Sequence, residues 1–147
     1  MVLPVRQVQL FGTKQPPVVI YTDASYWRGE VDGPPDSVVT AETGTDAQSP
    51  ARAGWLVFDP LRRKVIGQTW LLEPDFLSAL VPRQSQIFAC ETAAPLGAIF
   101  NLTDIFKFRD LVFYIDNESA CSALIRGASR AKDVDCLVIS THLALAR

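Results

Sequence analysis

Val18-Val19-Ile20-Tyr21-Thr22 is an unbroken run of β-branched and aromatic residues that ends in Asp23-Ala24-Ser25. Such a run predicts a central strand buried on both faces, with a carboxylate emerging where the strand leaves the sheet. Leu111-Val112-Phe113-Tyr114-Ile115 repeats the plan and is followed by Asp116-Asn117. If the two strands are parallel neighbours, their ends lie roughly 4.8 Å apart. That edge is where open α/β sheets bind ligands. Between them, the runs at 54–58 and 65–71 flank an Asp59-Pro60 turn and predict an antiparallel hairpin. The triplet Arg62-Arg63-Lys64 at its tip reads as a solvated turn.

The helical periods are shorter. Pro74 and Pro82 bracket one short helix over 76–80. A longer helix is predicted to start at Ser85 as N-cap, with Ile87, Glu91, Ala94 and Ala98 on one face. Pro95 has no amide for the Glu91 carbonyl, so a kink or break is expected just beyond Glu91. A helix over 118–125 is predicted to end at Gly127, and a last helix runs from about Ala131 through Leu143, still open at Arg147. Residues 1–17, with three prolines, form a lead-in, part of which (5–11) suits an edge strand.

Composition changes this picture in two places. The stretch 28–52 turns to Gly, Pro, Ser, Thr and acids without periodicity, and is read as a mobile acidic insertion rather than a binding lid. Its five acids (Glu30, Asp32, Asp36, Glu42 and Asp46) dominate the overall charge of −2. All five lie within 29–51, which holds no Lys or Arg, so the chain outside 29–51 carries 14 basic against 11 acidic side chains and the folded body is mildly basic. The 147 residues make one domain, and no apolar run reaches the ~18 residues of a membrane span. The N-terminus lacks the pattern of a signal peptide. Cys90, Cys121 and Cys136 are odd in number, widely spaced and set in apolar helical contexts. They read as reduced core residues of an intracellular protein, cytoplasmic or nuclear.

The candidate chemistry lies in three acids. The right-handed crossover rule puts the helix bearing Glu91 over the sheet between the two parallel strands. Asp23, Glu91 and Asp116 can then converge. A carboxylate on a packing stripe needs a partner, although a surface Glu on a rotated helix is the plain alternative. Three carboxylates without a basic partner suit hard divalent ions, with Mg²⁺ as a pair of ions and Mn²⁺ as a substitute. His142, the single histidine, reads as a surface or packing residue.

Tyr21-Thr22-Asp23-Ala24-Ser25, the helix around Glu91 and Ile115-Asp116-Asn117-Glu118-Ser119-Ala120 together resemble the ribonuclease H family, particularly the domains found in retroelement reverse transcriptases. The likeness spans roughly 18–145. It implies an α/β ribonuclease H-like mixed sheet, a three-strand antiparallel meander plus one parallel strand, with flanking helices. It also implies a metal-dependent endonuclease that hydrolyses the RNA strand of RNA–DNA hybrids, with Asp23, Glu91 and Asp116 as catalytic metal ligands. Asn117 and Glu118 would reach a 2′-hydroxyl. Arg126, Arg130 and Lys132 would grip phosphates, or form a solvated turn. A polymerase domain would precede the chain in a parent polyprotein.

The family continues into a fifth strand, a final helix and a fourth acid, which this chain lacks; Asp133 and Asp135 fall in the helix before that point. The chain is therefore read as truncated before those elements. The readings of a fourth ligand from elsewhere and of an inactive connection or binding module of a larger assembly stay open. A nucleotide-binding α/β domain is set aside, because no Gly-rich phosphate loop follows the first strand.

Overall fold

The computed structural model describes residues 15–26, 51–83 and 85–146. Among the described residues nine elements run in the order β1 (Val18–Tyr26), β2 (Ala51–Asp59), β3 (Lys64–Leu71), α1 (Pro74–Ala79), α2 (Ile87–Asn101), α3 (Thr103–Phe106), β4 (Leu111–Ile115), α4 (Glu118–Arg126) and α5 (Lys132–Leu145). They make an α/β fold around a four-stranded mixed sheet of order β3-β2-β1-β4. The β1–β2 and β2–β3 pairs are antiparallel, and β1–β4 is parallel, from Val18 opposite Leu111 to Thr22 opposite Ile115. No helix of the described residues is long and apolar enough to cross a membrane.

Strand alternation decides which side chains meet the helices. Val18, Ile20, Trp55 and Val57 point to one face and pack with Ala98 and Ile99 of α2, Leu102, and Phe106 of α3. Burying each such aliphatic side chain contributes ~1.5–3 kcal/mol, enough together to tolerate a costly polar group in the same layer. Among the described residues nothing packs on the opposite face, where Tyr21, Leu56, Phe58, Val65, Leu71 and Tyr114 are all exposed. The expected burial of β1 and β4 on both faces is therefore corrected. A continuous apolar run cannot distinguish a two-sided strand from one whose outer face is merely apolar.

The central helix α2 is buried on nearly every side, from Ala89 to Pro95 and from Gly97 to Ile99. It packs on β1 and β2 and also against α5 and α4. Small residues permit this. A Cβ at Gly97 would come within 2.8 Å of the Trp70 ring and 3.0 Å of Trp55, so only glycine allows the approach. The break expected at Pro95 does not occur. One backbone bond is lost, but Thr92 Oγ1 donates to the Phe88 carbonyl at 2.8 Å and Asn101 Nδ2 to that of Gly97 at 2.8 Å. Tight packing around Ala93, Ala94 and Ala98 holds the remaining turns. The N-cap position is Gln86 rather than Ser85, although Ser85 Oγ accepts the Ile87 amide at 3.3 Å.

Other boundaries shift. Ala51 and Arg52 belong to β2 and not to the acidic insertion, the rest of which lies outside the described residues. The edge strand expected over 5–11 lies outside them too. The short helix begins at Pro74, and α5 ends at Leu145 with Ala146 as its cap; Arg147 lies outside the described residues. Only Cys90 is a core cysteine; Cys121 is half-buried and Cys136 exposed, so the core reading fails for that one.

Two guanidinium clasps close the fold. Arg109 Nη1 meets Asp59 Oδ1 at 3.1 Å, and its Nη2 donates to the Pro16 carbonyl at 2.7 Å, tying the hairpin turn to the lead-in of β1. Arg83 Nη1 meets Asp133 Oδ2 at 2.7 Å, and the same oxygen accepts the Val81 amide at 2.9 Å. Asp135 Oδ1 accepts the Ser129 amide at 2.8 Å ahead of α5. Both acids of α5 thus serve the helix start.

Candidate metal centre

β4 stops at Ile115, opposite Thr22, so among the described residues Asp23 and Ala24 continue β1 with no strand on that side. Asp116 follows directly on β4. Glu91, one turn into α2, reaches the same notch and accepts a hydrogen bond from the Ala24 backbone amide. One ligand oxygen from each of Asp23, Glu91 and Asp116 can be chosen so that all lie within 4.8 Å of one another. Asp23 and Asp116 are exposed, while Glu91 is only 3% exposed.

The electrostatics follow from that burial. Burial is the largest influence on Glu91 and raises its pKa from 4.5 to about 7; the Ala24 amide opposes this, and the charges of Asp116 and Asp23 add to it. Glu91 Oε2 is buried without a hydrogen-bond partner. Among the described residues, none of the three acids takes part in an ion pair. Nearby, burial and the charge of Glu91 push the Cys90 thiol up to about 11, so this cysteine is an inert packing group at neutral pH.

The donor set fits a hard divalent cation: oxygen ligands only, with an orphaned buried carboxylate oxygen among them. A site of this kind holds an ion by charge, and without one Glu91 keeps its proton to a higher pH than an ordinary carboxylate.

The remaining candidates are placed differently. Asn117 is the N-cap of α4, its Oδ1 accepting the Ala120 amide at 2.9 Å, which leaves its Nδ2 for other partners. Glu118 is exposed in the first turn. Arg126 is at the far end of this nine-residue helix, roughly 13 Å of helix from Asp116. Its Nε donates to the Ser122 carbonyl at 3.2 Å. Arg130 and Lys132, both exposed, follow the Gly127 turn, whose φ of 72° gives the left-handed cap expected of glycine. The three basic residues thus lie on either side of the Gly127 turn, at or beyond the C-terminal end of α4. His142 Nε2 lies 2.9 Å from the Leu124 carbonyl, linking α5 to α4.

Two features had no legible signal. The Ala24 amide that holds Glu91 is a backbone group. The Tyr21 and Tyr114 rings stack at 4.7 Å and 13°, because the register puts them opposite each other; only a known register would have paired them. No family model, curated protein or solved structure matches the chain.

Proposed function

We propose that this chain is a metal-dependent endonuclease of the ribonuclease H type, hydrolysing the RNA strand of RNA–DNA hybrids as part of a retroelement reverse transcriptase. The observation that carries the reading is the cluster of Asp23, Glu91 and Asp116, with its buried and unpartnered Glu91 oxygen. Asp23, Glu91 and Asp116 would hold Mg²⁺. Bound divalent ions supply positive charge for an attacking water and for a leaving 3′ oxygen. The chain's own residues do the rest. The Ala24 amide orients Glu91, and Asn117 caps α4 directly after Asp116, holding that carboxylate at the strand end. Glu118 and the free Nδ2 of Asn117 are the groups offered to a 2′-hydroxyl.

The second reading, a non-catalytic module of a larger assembly, is favoured by the bare apolar face, where Phe58, Leu56 and Val65 are exposed. Incubation with a hybrid and Mg²⁺ separates the two. Cleavage of the RNA strand, lost in Asp116→Asn, supports the enzyme. Hybrid left intact at saturating Mg²⁺ overturns it in favour of the module.

A further inference from the structure

β3 ends the sheet, and among the described residues no strand pairs with its outer edge. The Leu72 amide donates to the Ala51 carbonyl at 3.1 Å. These residues come next in register after Leu71 and Arg52, so they form a hydrogen-bonded pair. Bonded and non-bonded pairs alternate along an antiparallel ladder. Trp70, Gln68, Ile66 and Lys64 therefore direct their backbone groups to β2, while Val65, Gly67, Thr69 and Leu71 turn theirs to the open edge. Natural edges are blunted by proline, by bulges or by lysines along the strand. β3 has no proline, its register is continuous, and its single lysine is its first residue, Lys64.

The strand is also its own complement. Laid antiparallel on a second copy about Gln68, it sets Val65 opposite the second copy's Leu71, and Gly67 opposite the second copy's Thr69. All four have outward backbone groups, so each pair exchanges two hydrogen bonds. On the outer face the Val65 and Leu71 side chains meet, which are 64% and 42% exposed in the single chain. On the helix face Ile66 meets Trp70, a favourable pairing of a β-branched with an aromatic side chain. The ends match in charge as well. Arg63 falls opposite Glu73; both are exposed, and among the described residues neither takes part in an ion pair. A parallel alignment would instead bring the two basic ends together.

At the centre Gln68 opposes itself, beside a notch of about 230 Å³ lined by Trp55, Gln68, Thr69, Trp70 and Asn101. Gln68 Oε1 accepts the Trp55 indole N–H at 3.0 Å, which leaves its Nε2 as a donor. Asn101 Nδ2 donates to the Gly97 carbonyl at 2.8 Å, which leaves its Oδ1 as an acceptor. The notch thus offers a donor and an acceptor between two indole rings, a setting that suits the carboxamide of a second Gln68.

We propose that the outer edge of β3 is an isologous interface, through which two copies of this chain join their sheets into one continuous sheet with the Gln68 side chains facing each other across the twofold axis. The dimer leaves the carboxylate cluster open, because β1 and β4 lie on the side of the sheet away from β3. It does not depend on a metal there.

Sedimentation velocity of the full chain, from micromolar to millimolar concentration, tests it. The wild type is expected to pass from one-copy to two-copy mass over that range. Thr69→Pro removes an outward amide and spares the ladder to β2, since proline is tolerated where its N–H would face solvent. It should weaken association by on the order of tenfold or more. Should that variant misfold, Arg63→Glu and Glu73→Arg probe the ends of the strand instead. Each alone sets like charges opposite each other at both ends of the dimer and should weaken association on the order of tenfold at low ionic strength. An equimolar mixture of the two restores opposite charges at both ends and should associate as the wild type does. A wild type that stays at one-copy mass at millimolar concentration overturns the proposal, the result expected if another segment or another protein pairs with β3. So does a dimer that none of these variants weakens, the result expected if the outer face of the sheet associates instead.

Discussion

Asp59 and Glu91 are buried to nearly the same degree, 1% and 3% exposed, yet their surroundings are opposite. Burial presses both toward the neutral form. At Asp59 the Arg62 amide and the Arg109 guanidinium overcome that pressure and hold the carboxyl below its ordinary range. Asp133 is held low in the same manner, first by its hydrogen bonds with Arg83. At Glu91 one backbone amide faces two further carboxylates, and the pKa rises to about 7. A buried acid supplied with a cation by the protein itself is a clasp. A buried acid left short of positive charge is a candidate for binding it.

The largest expected effect lies on the clasp side. Arg109→Met leaves buried Asp59 with only the half-exposed Arg62 guanidinium, 3.7 Å from its other oxygen, and breaking such a buried pair costs ~3–5 kcal/mol. For a domain of this size the melting temperature should fall by on the order of 10 °C. A loss of only a degree or two would show that Asp59 gains little from the guanidinium, and the contrast with Glu91 would narrow.

Next comes neutralisation of the cluster. Without metal, Asp23→Asn and Glu91→Gln should each stabilise the fold by on the order of 1 kcal/mol, through relief of repulsion and of burial. Asp59→Asn should do the opposite, because its charged hydrogen bonds are weakened. Thermal melts in a chelator read both signs. Destabilisation by Glu91→Gln would place that residue among the clasps.

The pH dependence carries the same contrast. Glu91 has a folded-state pKa of about 7, above its ordinary 4.5. The proton it holds therefore stabilises the metal-free fold fully below about 4.5, and that contribution is lost as the pH rises through about 7. Asp133 is depressed, so its contribution is present above the ordinary carboxylate pKa and is lost only as the pH falls below it. Metal-free wild type should lose stability between pH 5.5 and 8 relative to Glu91→Gln. Parallel curves would contradict the raised pKa.

The smallest effect concerns Asn117. Replacing it with Ala removes the cap of α4 at a cost of ~1 kcal/mol. If the cap also holds Asp116 in place, Mg²⁺ affinity should fall with it. An unchanged affinity would confine Asn117 to the helix.

The site was more legible in the sequence than its surroundings. Each of Asp23 and Asp116 closes an apolar run, and Glu91 falls on the helix that the crossover rule places between those strands. Local pattern and chain connectivity suffice for that. The clasps were not legible: Asp59 and Arg109 are 50 residues apart, as are Arg83 and Asp133, and nothing local in either member announces its partner. The bare face was hidden for a different reason. Tyr21 and Tyr114 are as apolar as their buried neighbours, so alternation was masked, and only the register shows which of them face outward. Pro95 misled because local backbone chemistry was weighed without the packing that surrounds α2.

The central claim is that the uncompensated carboxylates are a divalent-cation site. Calorimetric titration with Mg²⁺ near pH 7, in two buffers of different ionisation enthalpy, tests it most directly. The wild type should bind Mg²⁺ with release of a fraction of a proton, as Glu91 gives up the proton it holds at that pH, and Asp116→Asn should show no such binding. Equal Mg²⁺ heats in the two proteins, or none in the wild type, would contradict the account.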